Sequence, residues 1–405
     1  AMAQDDDDVE RVTGKAPPPL EEIDIVVSGP KILDGKYSIT NRDELLNAEF
    51  DMVDYRGANE IGLEPAFIHR VREGLKFIYL RDYKGATNHF AAFERDYPDS
   101  AIAAAVQTMV WQARMLENFD FQYEAQYWVA SAKARRDLEH ALSVEGNEAW
   151  EHFLRAGVVG IESIHLMRTA HYLKALQLAF EAVDEAEQVR ELAPDFTDLA
   201  LADGMYNYWR TVVTQNSKVL PDFGDNRAEG IAQMRSVETG GIFLGPPTTL
   251  ALAFTWIEEG DMKAAINSCL KNKRRYPDNI INNLVTGTTY VYMRKYRQAQ
   301  ETFDAILEID PNNRRVFYWR GVAKMRRGRY EGALSDLNHY IAFDYMEDYQ
   351  RSQAYYRLGQ THYRQNEFAE AEQAYKDAVK VDGHKSAKGS LERIKKAKKE
   401  GKLDY

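Results

Sequence analysis

The sequence predicts an all-α fold, a solenoid of stacked antiparallel helix pairs. Three observations carry this. Ala265, Ala299 and Ala333 recur at intervals of 34 residues, and Ala371 follows after 38. Large residues keep the same register: Met262, Tyr296, Tyr330 and Phe368 stand three residues before each alanine, and Cys269, Phe303, Leu337 and Tyr375 four after. Pro277 and Pro311, also 34 apart, close the first two units. A fixed period of this length marks a repeat architecture.

Each slot has a physical reason. Gly287, Gly321 and Gly359, with Ala253 in the earliest copy, fall in the first helix of each unit. Without a side chain there, the second helix packs closely. The alanine of the second helix meets that approach, and the large slots fill the space between successive pairs. A lone pair leaves an apolar face wet, so stacking is obligatory. The last interval carries four extra residues in the Tyr345–Gln350 region.

Residues 246–383 resemble the tetratricopeptide repeat (TPR) superfamily. "YYRLGQTHYRQNEFAEAEQAYKDAVKVD" and "GTTYVYMRKYRQAQETFDAILEIDPNN" fit its pattern nearly slot for slot. The resemblance implies a right-handed superhelix whose first helices line a concave surface.

Taken in order, residues 1–30 form an acidic, proline-containing leader expected to be disordered. Its opening "AMAQ" has two readings: a cloning remnant, or the small-x-small end of a cleaved secretory signal with Gln4 as the mature start. Asp5–Asp8 read as a solvated run. Residues 31–62 are an N-terminal extension with a short helix expected near Arg42–Phe50. Residues 63–245 are a divergent repeat-like region. There Gly74, Tyr83, Ala86, Phe90 and Pro98 fill repeat slots at the right offsets, and Pro65 suits a first helical turn. Beyond residue 100 the period is lost and the helices lengthen. Tyr172 and Ala175 regain the register, but the second helix overruns by about two turns before Pro194. A loop over Gln215–Asn226 divides another divergent pair. Four regular repeats follow over residues 246–383, and residues 384–405 form a basic capping helix, for solenoid ends need a polar face.

Composition bounds the function. A net charge of −11 argues against a general nucleic-acid binder. No apolar run reaches the ~20 residues that span a bilayer. The single cysteine, Cys269, occupies a core slot and reads as a buried thiol.

Catalytic motifs do not emerge. No G-x-x-x-x-G-K-[ST] is present; Gly240, Gly241 and Gly245 read as a loop. No G-x-S-x-G or C-x-x-C occurs. Glu162 and His165 make one E-x-x-H, the spacing of carboxylate-bridged metal bundles, but no second copy exists to complete such a site. We therefore expect no enzyme, no metal and no cofactor.

What remains is binding. By the TPR resemblance, the inward slots hold Leu250, Phe254 and Ile257, then Leu284, Val291 and Tyr292, then Tyr318, Val322 and Met325, then Tyr356 and Tyr363. This lining is apolar, and lysine and asparagine are absent from the slots that clamp acidic C-termini of chaperones. The expectation is a scaffold or adaptor, in the bacterial envelope, that cradles an amphipathic helix or extended segment of a protein partner. The alternative is a periplasmic carrier for an apolar small molecule, similar to TPR proteins of the TatT type or to bacterial sterol carriers. In that reading Tyr206, Tyr208 and Trp209, with Tyr123, Tyr127 and Trp128, close a lipid-sized cavity. The expected location is the periplasm, and the cytoplasm otherwise.

Overall fold

A computed structural model describes residues 61–144, 148–215 and 224–403. The leader at residues 1–30 and the helix expected near residues 42–50 lie outside them. The described residues form seventeen α-helices and one 3-10 turn, and no strand. The helices are α1 (Pro65–Tyr79), α2 (Tyr83–Asp96), α3 (Ile102–Leu116), α4 (Glu124–Ala141), α5 (Glu148–Arg168), α6 (Tyr172–Leu192), α7 (Ala200–Gln215), α8 (Arg227–Gly240) and α9 (Gly245–Glu258). They continue as α10 (Met262–Arg275), α11 (Ile280–Tyr292), α12 (Tyr296–Ile309), α13 (Arg314–Arg326), α14 (Tyr330–Ile341), α15 (Asp348–Arg364), α16 (Phe368–Asp382) and α17 (Lys385–Lys399).

The large residue that opens each second-helix slot is its first helical residue: Met262, Tyr296, Tyr330 and Phe368, and likewise Tyr83 and Tyr172. Two positions earlier the backbone turns left-handed, at Arg81, Ala170, Gly260, Arg294, Gly328 and Asn366. The turn is held by backbone bonds closing the end of the first helix, such as Lys295 N–H to the Tyr290 carbonyl at 2.8 Å and Arg329 N–H to that of Lys324 at 2.9 Å. Asp82 and Asp261 add side-chain caps to the next helix, accepting from the amides of Gly85 and Ala264.

The chain divides into two compact units. Residues 115–122 and 280–403 belong to one, residues 61–114 and 123–279 to the other. In the first, α11 to α16 form three antiparallel pairs, and α17 covers the last. Ala387 and Ile394 of α17 join Tyr356, Ala371 and Tyr375 in one buried cluster, as a capping helix requires. The four-residue insertion lengthens α15 to 17 residues against 13 in α13. The turn after α3 packs on the starts of α13 and α15. Asn313 Nδ2 donates to the Glu117 carbonyl (2.9 Å), Gln350 Nε2 to that of Phe119 (3.2 Å), and Arg314 pairs with Asp120.

The second unit is built around an aromatic core. Phe67 meets Trp150 edge-on at 5.5 Å, Trp150 meets Phe243 at 5.3 Å, and Phe153 meets Phe196 at 5.0 Å. Asp198, fully buried, accepts the amides of Ile242, Phe243 and Leu244 at 2.6–3.0 Å. The glycine-rich loop of residues 240–245 thus wraps a carboxylate belonging to its own fold. Asn279 Nδ2 reaches the Tyr79 carbonyl at 2.9 Å across 200 residues of sequence, tying the end of α10 to that of α1.

The expected overrun of α6 is present: 21 residues against 14 in α10. The α3–α4 pair departs furthest from repeat packing. Its helices stand apart around an open cleft of about 500 Å³, lined by Ala104, Gln107 and Trp111 opposite Val129, Ala130 and Lys133.

Candidate partner-binding surface

The register of the open surface follows from where each first helix touches its second. In α11 that contact is Gly287 against Phe303. In α9 it is Ala253, fully buried. In α7 it is Gly204, where an added Cβ would stand 2.7 Å from the Gly230 carbonyl oxygen. In α5 it is Ser163, whose hydroxyl donates to the Ala175 carbonyl at 2.7 Å. Counting from these contacts, the outward line is Gly160, Ile164 and Arg168 on α5, then Leu201, Met205 and Trp209 on α7, then Leu250, Phe254 and Glu258 on α9. Residues four apart share a helix face.

Apart from Arg168 and Glu258 at one end, this face is apolar and accessible. Ile164 is 41% exposed. Leu201, Met205, Trp209, Leu250 and Phe254 are half-buried. An added Cβ at Gly157 or Gly160 would meet no atom within 4 Å. Leu201, Met205, Trp209 and Ala251 rest on one buried cluster of Tyr208, Met234 and Leu252, so the face has a packed floor.

The expected lining behaves otherwise in α11, α13 and α15. Leu284, Val291, Tyr292, Tyr318, Val322, Met325 and Tyr356 are buried, as is Ile257 of α9. Tyr292 packs edge-on against Trp319, Tyr318 lies tilted against Tyr340, and Tyr356 stacks on His384 at 4.5 Å. These side chains are spent on cohesion between neighbouring helices and present no surface. Of the eleven expected groove residues, Leu250, Phe254 and Tyr363 stay half-buried.

The aromatics expected around a cavity also have structural partners. Tyr208 is fully buried and donates to Glu259 at 2.9 Å; burial raises its pKa. Tyr206 packs on Phe180 beneath the Arg210 guanidinium, and Trp209 meets Tyr208 edge-on. Glu162 and His165 do not converge. Glu162 takes a bidentate contact from Arg135 and the hydroxyl of Ser131. His165 bonds Glu124 at 2.8 Å and stacks on Tyr127, and burial lowers its pKa. Among the described residues no group of three or more His, Cys, Asp or Glu side chains could hold a metal, and no helix is long and apolar enough to cross a membrane.

Family models described as tetratricopeptide repeat match residues 284–346 and 352–385. These two segments are similar to tetratricopeptide repeats. Such repeats generally mediate protein interactions and are typically non-catalytic. No curated protein matches the chain. Similar solved structures include a tetratricopeptide repeat protein from Parabacteroides merdae, with 12% identity, TM-score 0.41, and coverage of 70% of this chain and 98% of that one. The human IFIT1 dimer with m7Gppp-AAAA has 12% identity and TM-score 0.44, covering 89% and 87%. The C-terminal part of a TPR repeat-containing protein from Cytophaga hutchinsonii has 15% identity and TM-score 0.28, covering 79% and 99%. These scores lie below 0.5, and none of these likenesses bears on what the chain binds.

Sequence reasoning missed Gly160, Ile164, Leu201 and Met205. For Leu201 and Met205 the signal was the pair Gly204 and Gly230, but these stand 26 residues apart where Gly287 and Ala299 stand 12 apart; Gly160 and Ile164 lie on α5, which at 21 residues outruns the repeat.

Proposed function

We propose that the chain is a non-catalytic scaffold that holds an apolar helix of a protein partner on the face formed by α5, α7 and α9. The observation that carries this is the run of accessible apolar side chains at equivalent positions of three successive first helices. Burying a large apolar side chain contributes about 1.5–3 kcal/mol. These side chains are already half-buried, so five of them give about half of that each, on the order of 4–8 kcal/mol gross, from which association cost subtracts. A micromolar affinity, about −8 kcal/mol, therefore needs further contacts from the partner helix beyond these five side chains. Gly157 and Gly160 favour a helical partner, because bare backbone lets a second helix approach closely. Export to the bacterial envelope is part of the proposal, suggested by the acidic, proline-containing composition of residues 1–30, and fractionation of the native host checks it.

A photo-crosslinking residue placed at Ile164 in the native host tests the reading. It should capture a discrete protein, whereas the same probe at Arg297, an exposed residue of α12, should not. Equal capture from both positions, or a stoichiometric lipid adduct in place of a protein at Ile164, overturns it.

A further inference from the structure

The end of the chain carries a charge pattern that partner recognition on α5, α7 and α9 does not use. Between His384 and Lys402 there are eight lysines and arginines against two carboxylates, in a chain whose net charge is −11. The fold sorts them. Ala387, Ser390, Ile394 and Ala397 turn inward and are buried, so α17 is anchored by one face. The opposite face presents Lys385, Lys388, Lys395, Lys396 and Lys399, all exposed, along 15 residues of helix, or about 21 Å. Glu392 interrupts this stripe.

Most of these lysines have no use within the fold. Lys396 reaches Glu400 only at 3.9 Å, and Lys398, to the side, pairs with Glu372 at 2.8 Å. Lys385, Lys388, Lys395 and Lys399 meet no carboxylate among the described residues. Lysines three or four apart on one helix face repel one another, so the stripe weakens the helix that bears it.

We propose that α17 is an electrostatic docking surface for an anionic lipid bilayer. Three features favour a bilayer over a phosphorylated peptide or a nucleic acid. The cations are arranged in a straight line on a helix face rather than around a pocket. The stripe is made of lysines, which act as hydrated point charges, and lacks the planar fork with which arginine reads a single phosphate. The helix keeps its apolar face in its own core, so it adsorbs without inserting. Polybasic segments bind anionic bilayers additively and are released by salt. The proposal is independent of the α5–α7–α9 face, and variants of that face leave it untouched.

Co-sedimentation of the full chain with vesicles tests this. With 30% phosphatidylglycerol in phosphatidylcholine at 0.1 M NaCl, the protein should pellet, and 0.5 M NaCl should release it. Lys388→Glu, Lys395→Glu and Lys399→Glu combined should weaken binding at least a hundredfold, at about fivefold or more per removed lysine, with helicity by circular dichroism unchanged. Equal binding to pure phosphatidylcholine, equal binding of the triple variant, no binding to either vesicle, or retention of DNA or RNA in place of vesicles each overturns it. Because the variants sit on exposed side chains, a folding failure is not expected; if one occurred, the salt and lipid-charge dependence of the unmodified chain decides alone.

Discussion

Gly287 lies under the ring of Phe303, so closely that a Cβ built on it would stand 2.3 Å from ring carbon Cε1. The same relationship recurs between Gly74 and Phe90 at 2.4 Å and between Gly359 and Tyr375 at 2.5 Å. The glycine of the first helix and the large residue of the second are one packing device. Gly287→Ala should therefore lower stability by about 1–3 kcal/mol through overpacking. Gly160→Ala, with open space around it, should raise stability by about 0.5–1 kcal/mol through helix propensity. Chemical denaturation of the two variants checks the opposite signs.

The turns between paired helices give a second prediction. Arg294 occupies the left-handed region at φ 59°, where Gly328 stands in the next repeat at φ 73°. A side chain costs roughly 1 kcal/mol there. Arg294→Gly should stabilise the chain by about 0.5–1 kcal/mol, and Gly328→Ala should destabilise it by a similar amount. The shift in denaturation midpoint reads both.

Stability should also depend on pH through Glu151. Burial pushes its carboxyl up from an ordinary 4.5 to about 7, although Ala101 N–H and Ser100 offset part of that. Between these values the folded chain keeps a proton that the unfolded chain has lost. Stability from this group is therefore complete below about pH 4.5, falls as pH rises towards 7, and levels off above. The total is on the order of 3 kcal/mol. Glu151→Gln should flatten this slope and raise the melting temperature at pH 8 relative to the parent. Melting curves from pH 5 to 8 test it.

The pairing of helices was legible because each repeat states its rules locally. Gly287 with Phe303 and Gly359 with Tyr375 are close in sequence and in space. The left-handed turn at Arg294 was not legible, because backbone bonds impose it and no glycine marks it. Nor was the contact of Asn279 with Tyr79, which spans 200 residues and leaves no periodic trace. The lining was misjudged for a related reason. Apolar residues such as Tyr318 and Tyr356 read alike whether they face a groove or a neighbouring repeat, and only packing separates the two. The shift of the open surface to Ile164 and Met205 followed from two departures from the period: the 21-residue helices α5 and α6, and the wide spacing of Gly204 and Gly230.

Recognition on α5, α7 and α9 is open to direct comparison with the later repeats. Phe254 has counterparts in Thr288 of α11 and Gln360 of α15, one residue after the close contact in each helix and half-buried in all three. The direct measurement is the dissociation constant of the captured partner, by calorimetry, for Ile164→Asp and Phe254→Asp beside Thr288→Asp and Gln360→Asp. At least a tenfold loss, about 1.4 kcal/mol, is expected for each of the first two and less than a twofold change for the others. Intact binding in the first pair, with loss in the second, would contradict it.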